Sequence, residues 1–389
     1  MSTLKLPIYM DNHATTRVDP RVLEVMLPYF TQDFGNSASS DHLYGARAAE
    51  AVEDSREQIA RTINSRSEEI VFTSGATESD NLAIQGVAQQ YLEKGRHIIT
   101  CSTEHKAVLD TCKHLSETGY DITYLPVDRY GLIDLDRLEA AITEKTILIS
   151  IMAANNEVGT IAPISLIGSL AHRHGVLFHT DATQAVGHIR INVEEMNIDL
   201  LSMSAHKVYG PKGIGALYVR RRNPKVKVSP ILFGGGHERG MRSGTLNVPG
   251  IVGFGEALRL ARNEMEAEGR RLGLWSAQML GGFKDRLGGV ELNGHPTLRL
   301  PHNLNVSFEG IESKALIRSI HTQVSVSAGS ACTTDMVEPS HVLIALGLGE
   351  GRAHSSVRFG LGRFNTEEEV AYATDCVPRA AAKLKKMTV

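Results

Sequence analysis

The stretch Ser202-Met203-Ser204-Ala205-His206-Lys207-Val208-Tyr209-Gly210-Pro211-Lys212-Gly213 decides how the chain is read. The apolar run Ile198 to Met203 leading into it reads as a buried strand. Lys207 is then delivered to the carboxyl end of that strand, where open α/β sheets place their ligands. Most lysines stay solvated at the surface, and taken alone Lys207 reads the same way. An amine whose pKa is lowered by its surroundings can instead condense with a carbonyl compound.

A second stretch favours the chemical reading. Val176-Leu177-Phe178-His179-Thr180-Asp181 is another apolar run, and it ends in a carboxylate at the place where a parallel strand would open onto a crevice. A lysine and an aspartate on neighbouring strand ends are what pyridoxal 5'-phosphate needs: the lysine takes the aldehyde, and the aspartate pairs with the pyridinium nitrogen, keeping the ring an electron sink.

Other apolar runs lie at 70–73, His97 to Cys101, Ile122 to Leu125, Thr146 to Met152 and 215–219. Helical patterns separate them, among them 46–63, Val108 to Leu115 and Leu135 to Ile142. About seven strands interleaved with helices predict an α/β chain with a mostly parallel, doubly wound sheet. Ser74-Gly75-Ala76-Thr77-Glu78 turns from a strand into a helix, and a helix start offers unpaired amides and a positive dipole end to a phosphate. An ordinary capping box is the alternative for that turn.

The segments TSGATESDNLAI (Thr73 to Ile84), TEHKAV (Thr103 to Val108), NNEVG (Asn155 to Gly159), DATQAVG (Asp181 to Gly187), AHKVYGPKGIGALYVRR (from Ala205), GGGHERGMRSGT (Gly234 to Thr245), SAGSACT (Ser327 to Thr333) and SSVRFGLGRF (Ser355 to Phe364) run in order along nearly the whole chain. Together they resemble the cysteine desulfurases of the bacterial housekeeping, iron-sulfur assembly type, within the class V aminotransferases. The resemblance implies a fold-type I pyridoxal phosphate enzyme with a seven-stranded sheet. Residues 14–255 would form its large cofactor-binding domain, and 1–13 with 256–389 a smaller α/β domain carrying the catalytic-cysteine loop.

The resemblance also implies roles. Lys207 holds the cofactor aldehyde, His105 lies over the ring and moves protons, and Cys332 is the sulfur-accepting nucleophile. Ala76, Thr77, Ser204 and His206 hold the phosphate, Asp181 and Gln184 hold the ring nitrogen and phenolic oxygen, and Asn156 touches ring or substrate. Arg358 binds the substrate carboxylate, which suits a guanidinium fork, beside Ala14 and Thr15. Thr245 reaches the phosphate of the second copy in a homodimer. His13 departs from the family pattern and reads as a hydrogen-bonded turn residue.

The activity implied is conversion of L-cysteine to L-alanine, with the sulfur left as a persulfide on Cys332 for a sulfur-acceptor or iron-sulfur scaffold protein. A transaminase would not need Cys332, whereas a selenocysteine lyase would. A sulfur-carrier scaffold with a decayed cofactor site is a further alternative, against which the retention of His105, Asp181, Gln184 and Lys207 speaks. The last residues, Met387-Thr388-Val389, follow soon after the final helical pattern, so altered docking of the scaffold protein is expected.

Composition bounds the rest. A chain of 389 residues exceeds what one simple core holds, which predicts two lobes. With 42% hydrophobic and 22% charged residues and a net charge of -3, it reads as an ordinary globular protein, giving no reason to expect nucleic acid or a membrane as partner. No signal-peptide core or membrane-span run is present, so a cytoplasmic location is expected. The four cysteines, Cys101, Cys112, Cys332 and Cys376, make neither a disulfide scaffold nor a zinc pattern, and no metal is expected.

Overall fold

The computed structural model describes residues 4–329 and 339–387; Cys332 lies outside them. In chain order its strands are β1 (Ile8–Tyr9), β2 (Ile70–Thr73), β3 (His97–Cys101), β4 (Asp121–Leu125), β5 (Thr146–Ser150), β6 (Leu177–Asp181), β7 (Leu200–Ser204), β8 (Gly215–Val219), β9 (Val290–Leu292), β10 (Asn303–Phe308), β11 (Val324–Ser325) and β12 (Ser356–Gly360). Seven of them form the central sheet in the order β2-β8-β7-β6-β5-β3-β4. The neighbours from β7 across to β4 run parallel, and β8 runs antiparallel to both β2 and β7. The mostly parallel seven-stranded expectation is met.

The inner strands are buried along their whole length, which is why they read as continuous apolar runs and not as alternating ones. Their side chains still alternate between two cores. Ile99, Ile149, Phe178 and Leu201 belong to one hydrophobic cluster, and Ile98, Leu148, Leu177 and Leu200 to another.

A second, antiparallel sheet, β9-β10-β12, carries its own cluster, including Phe283, Val306, Phe308 and Phe359. The helix Val248–Arg286 serves both units: Phe254 and Leu258 pack in the first core, Leu272, Met279 and Phe283 in the second. At 39 residues it is about 58 Å long at 1.5 Å per residue. The sequence pattern predicts only 254–272 of it. Glycines hide its start, and close packing requires them there: a Cβ on Gly253 would sit 2.5 Å from the Met26 sulfur, and one on Gly255 2.8 Å from Ser55 Cα.

Among the described residues no helix is long and apolar enough to cross a membrane. Cys101, Cys112 and Cys376 are buried and unpaired with one another. Burial pushes the Cys101 and Cys112 thiols up to about 11 and about 12, so both stay protonated and inert.

Candidate active site

The parallel strands deliver their carboxyl ends to one crevice. β6 ends at Asp181, and β7 runs out through Ser204 into a single short turn, Ala205–Lys207. Opposite them β2 gives way at Gly75 to the helix Ala76–Gln90, whose first turn has no side-chain cap. Gly75 has φ +152°, a conformation that side chains rarely adopt, and β8 presses against it: a Cβ on Gly215 would lie 2.6 Å from Gly75 Cα. Only glycines allow this approach, and the approach brings the helix start beside Ser204.

A cavity of about 520 Å³ occupies the crevice. It is lined by Ala14, Thr15, Ala76, Thr77, His105, Asn156, Asp181, Gln184, Ser204, His206, Lys207 and Arg358, all read from the sequence as site residues. Thr245 is exposed and absent from the lining. Cys332 lies outside the described residues; the residues on either side of that stretch are hydrogen-bonded to Asp11, Glu157 and Glu104. Ser327 Oγ donates to Asp11 Oδ1 at 3.0 Å, Ser340 Oγ donates to Glu157 Oε2 at 2.5 Å, and His341 Nε2 donates to the Glu104 carbonyl at 3.0 Å. A second cavity of about 540 Å³, around Glu309 and Arg352, shares no lining residue with the first.

The site's electrostatics follow from burial. Lys207 Nζ donates to the carbonyls of His13 and Ala14 at 2.5 and 2.7 Å. His206 is held down to about 4 by burial and by the nearby charges of Lys207 and Lys212, and is therefore neutral; its Nδ1 meets Thr15 Oγ1 at 3.1 Å. Burial also lowers His105, assisted by Lys207 and opposed by Asp181. His105 Nδ1 accepts the Ala107 N–H at 3.2 Å, so the neutral ring carries its proton on Nε2.

Asp181 Oδ1 accepts the Thr183 N–H at 2.9 Å. Behind it lie two wholly buried acids, Asp80 and Glu104. Burial, with the adjacent carboxylate charge of Asp181, raises both well above the usual range. Glu104 Oε1 accepts the Met152 N–H at 2.7 Å, tying the ends of β3 and β5 together. Asp80 and Glu104 are thereby pushed toward the neutral form beside Asp181.

Arg358, on β12, is 1% exposed. Its Nη2 donates to Asp11 Oδ1 at 2.9 Å and its Nη1 to the Asn156 carbonyl at 2.7 Å, while Nε is buried without a hydrogen-bond partner. The guanidinium therefore has unused donors at the cavity.

Sequence reasoning missed Asp11, Glu157, Ser340 and the contribution of His13. His13 is indeed a turn residue, but it is 1% exposed and lines the cavity. Its position directly before Ala14-Thr15 was the available signal.

These donors fit pyridoxal phosphate. A helix start with Ser204 and His206 suits the phosphate, Lys207 the aldehyde, and buried Asp181 the pyridinium nitrogen, within a cavity of ligand size. Fold and site thus define a fold-type I pyridoxal phosphate enzyme. The family model for class-V aminotransferases matches residues 8–372, and the chain belongs to that family, among its cysteine desulfurases.

The chain is 55% identical over 385 residues to the cysteine desulfurase IscS of Anaeromyxobacter sp. strain Fw109-5, covering 99% of this chain and 95% of the relative. It is 53% identical over 387 residues to that of Vibrio campbellii, with the same coverage. Among solved structures, a NifS-like protein superposes with a TM-score of 0.91 at 38% identity, covering 97% of this chain and all of the other. SspA in complex with cysteine superposes with a TM-score of 0.80 at 41% identity, over 92% of this chain and all of the other.

Proposed function

We propose that the protein is a pyridoxal phosphate-dependent cysteine desulfurase that converts L-cysteine to L-alanine and leaves the sulfur as a persulfide on Cys332. The observation that carries this is the meeting of Lys207, Asp181 and Arg358 in one cavity, at the ends of strands whose whole arrangement matches the cysteine desulfurases.

When bound, pyridoxal phosphate supplies the electron sink that makes the substrate's α-proton acidic. The phosphate would rest on the amides of Ala76 and Thr77 with Ser204 and His206, and Gln184 would donate to the phenolic oxygen. Arg358, with Asn156, Ala14 and Thr15 around it, orients the substrate carboxylate. Lys207 Nζ, once free of the aldehyde, is the base that moves the α-proton. His105, whose neutral ring carries its proton on Nε2 and lines the cavity, would take up or return a proton as the reaction demands.

Cys332 acts as a thiolate on the substrate sulfur. The new S–S bond forms as the substrate's C–S bond breaks; the carbon keeps that electron pair and takes a proton, giving alanine. The persulfide then passes to an acceptor protein, with iron-sulfur cluster assembly the expected use, and the expected location is the cytoplasm.

The protein acts as a homodimer in this reading. Leu23, Leu27, Phe30, Phe34 and Leu43 are exposed along one stretch, more apolar surface than a monomer needs, and Thr245 is exposed, as a residue serving the other copy's phosphate would have to be. The division into 14–255 and 1–13 with 256–389 is supported by the separate cores, joined by the helix Val248–Arg286.

Absorbance of the reconstituted protein and alanine release test the reading. A yellow protein that turns L-cysteine into alanine and sulfide under a reductant is expected. A protein that takes up no cofactor, or takes it up and releases no alanine, overturns it.

A further inference from the structure

His13 holds both ends of one side-chain amide. Its carbonyl receives the Gln184 Nε2–H at 3.1 Å, and its Nδ1 meets Gln184 Oε1 at 2.9 Å. A carbonyl only accepts, so the amide's nitrogen end is the one facing it, and Oε1 must face the ring. Nδ1 is therefore N–H.

The other ring nitrogen agrees. Nε2 lies 3.1 Å from Asn303 Nδ2, whose amide direction is set independently: Nδ2 also donates to the Glu157 carbonyl at 3.1 Å, and Oδ1 accepts from Arg299 at 2.9 Å. Nε2 is thus an acceptor. Only the neutral Nδ1–H tautomer satisfies both sides, and a protonated ring would set a donor against a donor. Burial and the charge of Arg358 hold the imidazole in that neutral form.

We propose that His13 is a positioning residue for the cofactor site, fixing the direction of the Gln184 amide so that an Nε2–H, and never Oε1, is offered to an acceptor oxygen in the cavity. The amide has two N–H groups, and only one is given to the His13 carbonyl. Without the imidazole only the main-chain carbonyl of residue 13 still holds the amide, so Oε1 loses its donor and the aim of the remaining N–H at the phenolic oxygen loosens. The same carbonyl receives Lys207 Nζ, so one turn aligns both residues. The inference rests on the pyridoxal phosphate reading above.

The test is a double-mutant cycle on cofactor binding. Pyridoxal phosphate affinity and the visible absorption maximum are measured for the wild type, His13→Leu, Gln184→Ala and the double variant, with His13→Asn as the conservative control. Asparagine places an amide nitrogen where histidine has Nδ1. His13→Leu is expected to lose roughly tenfold in affinity and to shift the absorption maximum. His13→Asn should restore both, and His13→Leu should cost nothing further once Gln184 is alanine.

Additive losses, or an unshifted maximum in a folded His13→Leu protein, overturn the proposal while leaving the desulfurase reading intact. If His13→Leu does not fold, His13→Ala with and without Gln184→Ala decides it: an equal loss in both backgrounds overturns it. A wild type that binds no pyridoxal phosphate overturns both.

Discussion

The amine of Lys207 donates to the carbonyl of Ala14 at 2.7 Å, joining the end of β7 to the N-terminal turn nearly two hundred positions away in the chain. A cation at this point is compatible with the fold, so charge can be kept while the condensing amine is removed. Lys207→Arg should fold normally but hold no cofactor covalently, and alanine formation should fall by about 100-fold or more. Absorption spectra and alanine assays check this.

The Arg358 guanidinium already spends one Nη on Asp11 and the other on the Asn156 carbonyl, and keeps donors for a ligand. A lysine has a point charge in place of this fork. Arg358→Lys is expected to raise KM for L-cysteine by about tenfold or more with a smaller change in kcat, the pattern of lost carboxylate binding. Steady-state kinetics with L-cysteine decide it.

Arg56 and Glu238 pair through two hydrogen bonds of 2.7 and 2.9 Å, both side chains almost fully buried, and Glu238 Oε2 also accepts the Phe72 N–H at 2.7 Å. This pair ties the glycine-rich segment bearing Thr245 to the central sheet. Glu238→Ala removes the buried partner of Arg56, leaving it only exposed Glu53 and the Ile70 carbonyl, strands the Phe72 N–H, and should cost about 3–5 kcal/mol in thermal unfolding. Glu238→Ala with Arg56→Met should cost less than the sum of the two alone.

His302 is stacked between His13 and His188, at ring separations of 4.5 and 4.2 Å, and its Nδ1 is buried without a partner. Burial, then the neighbouring His188 and His13, push its pKa well below 6.5. The unfolded chain therefore binds a proton below about pH 6.5 that the folded chain refuses. Stability is fully kept above that pH and falls on acidification, by about 1.4 kcal/mol per pH unit for each such histidine. His302→Phe should thus raise the unfolding midpoint relative to wild type more at pH 5 than at pH 8, measured by thermal melts.

The main sheet was legible because its inner strands are buried on both faces. Runs such as Leu177 to Asp181 and Leu200 to Ser204 carry the apolar signal straight to their functional ends. β12 is different: Ser356-Val357-Arg358-Phe359 buries serines and an arginine through hydrogen bonds that no periodicity shows, so Arg358 was legible only through its motif. His13 was undervalued for a related reason. A buried histidine earns its place through partners far away in sequence, Gln184 and Asn303, which only the fold brings together.

The glycines of the long helix carry the opposite lesson. Helical propensity penalises Gly253 and Gly255, yet packing against Met26 and Ser55 demands them, so tertiary contact overrode the local signal.

The central claim is that sulfur leaves the substrate for Cys332. Its most direct test is the intact mass of the reconstituted protein after L-cysteine without reductant, with alanine counted in the same sample, beside Cys332→Ser. The account predicts one added sulfur atom, mapped to the Cys332 peptide, for each alanine released in the first turnover, and no added sulfur in the variant. Alanine formed at the wild-type rate by Cys332→Ser, or sulfur found on Cys101, Cys112 or Cys376, would contradict it.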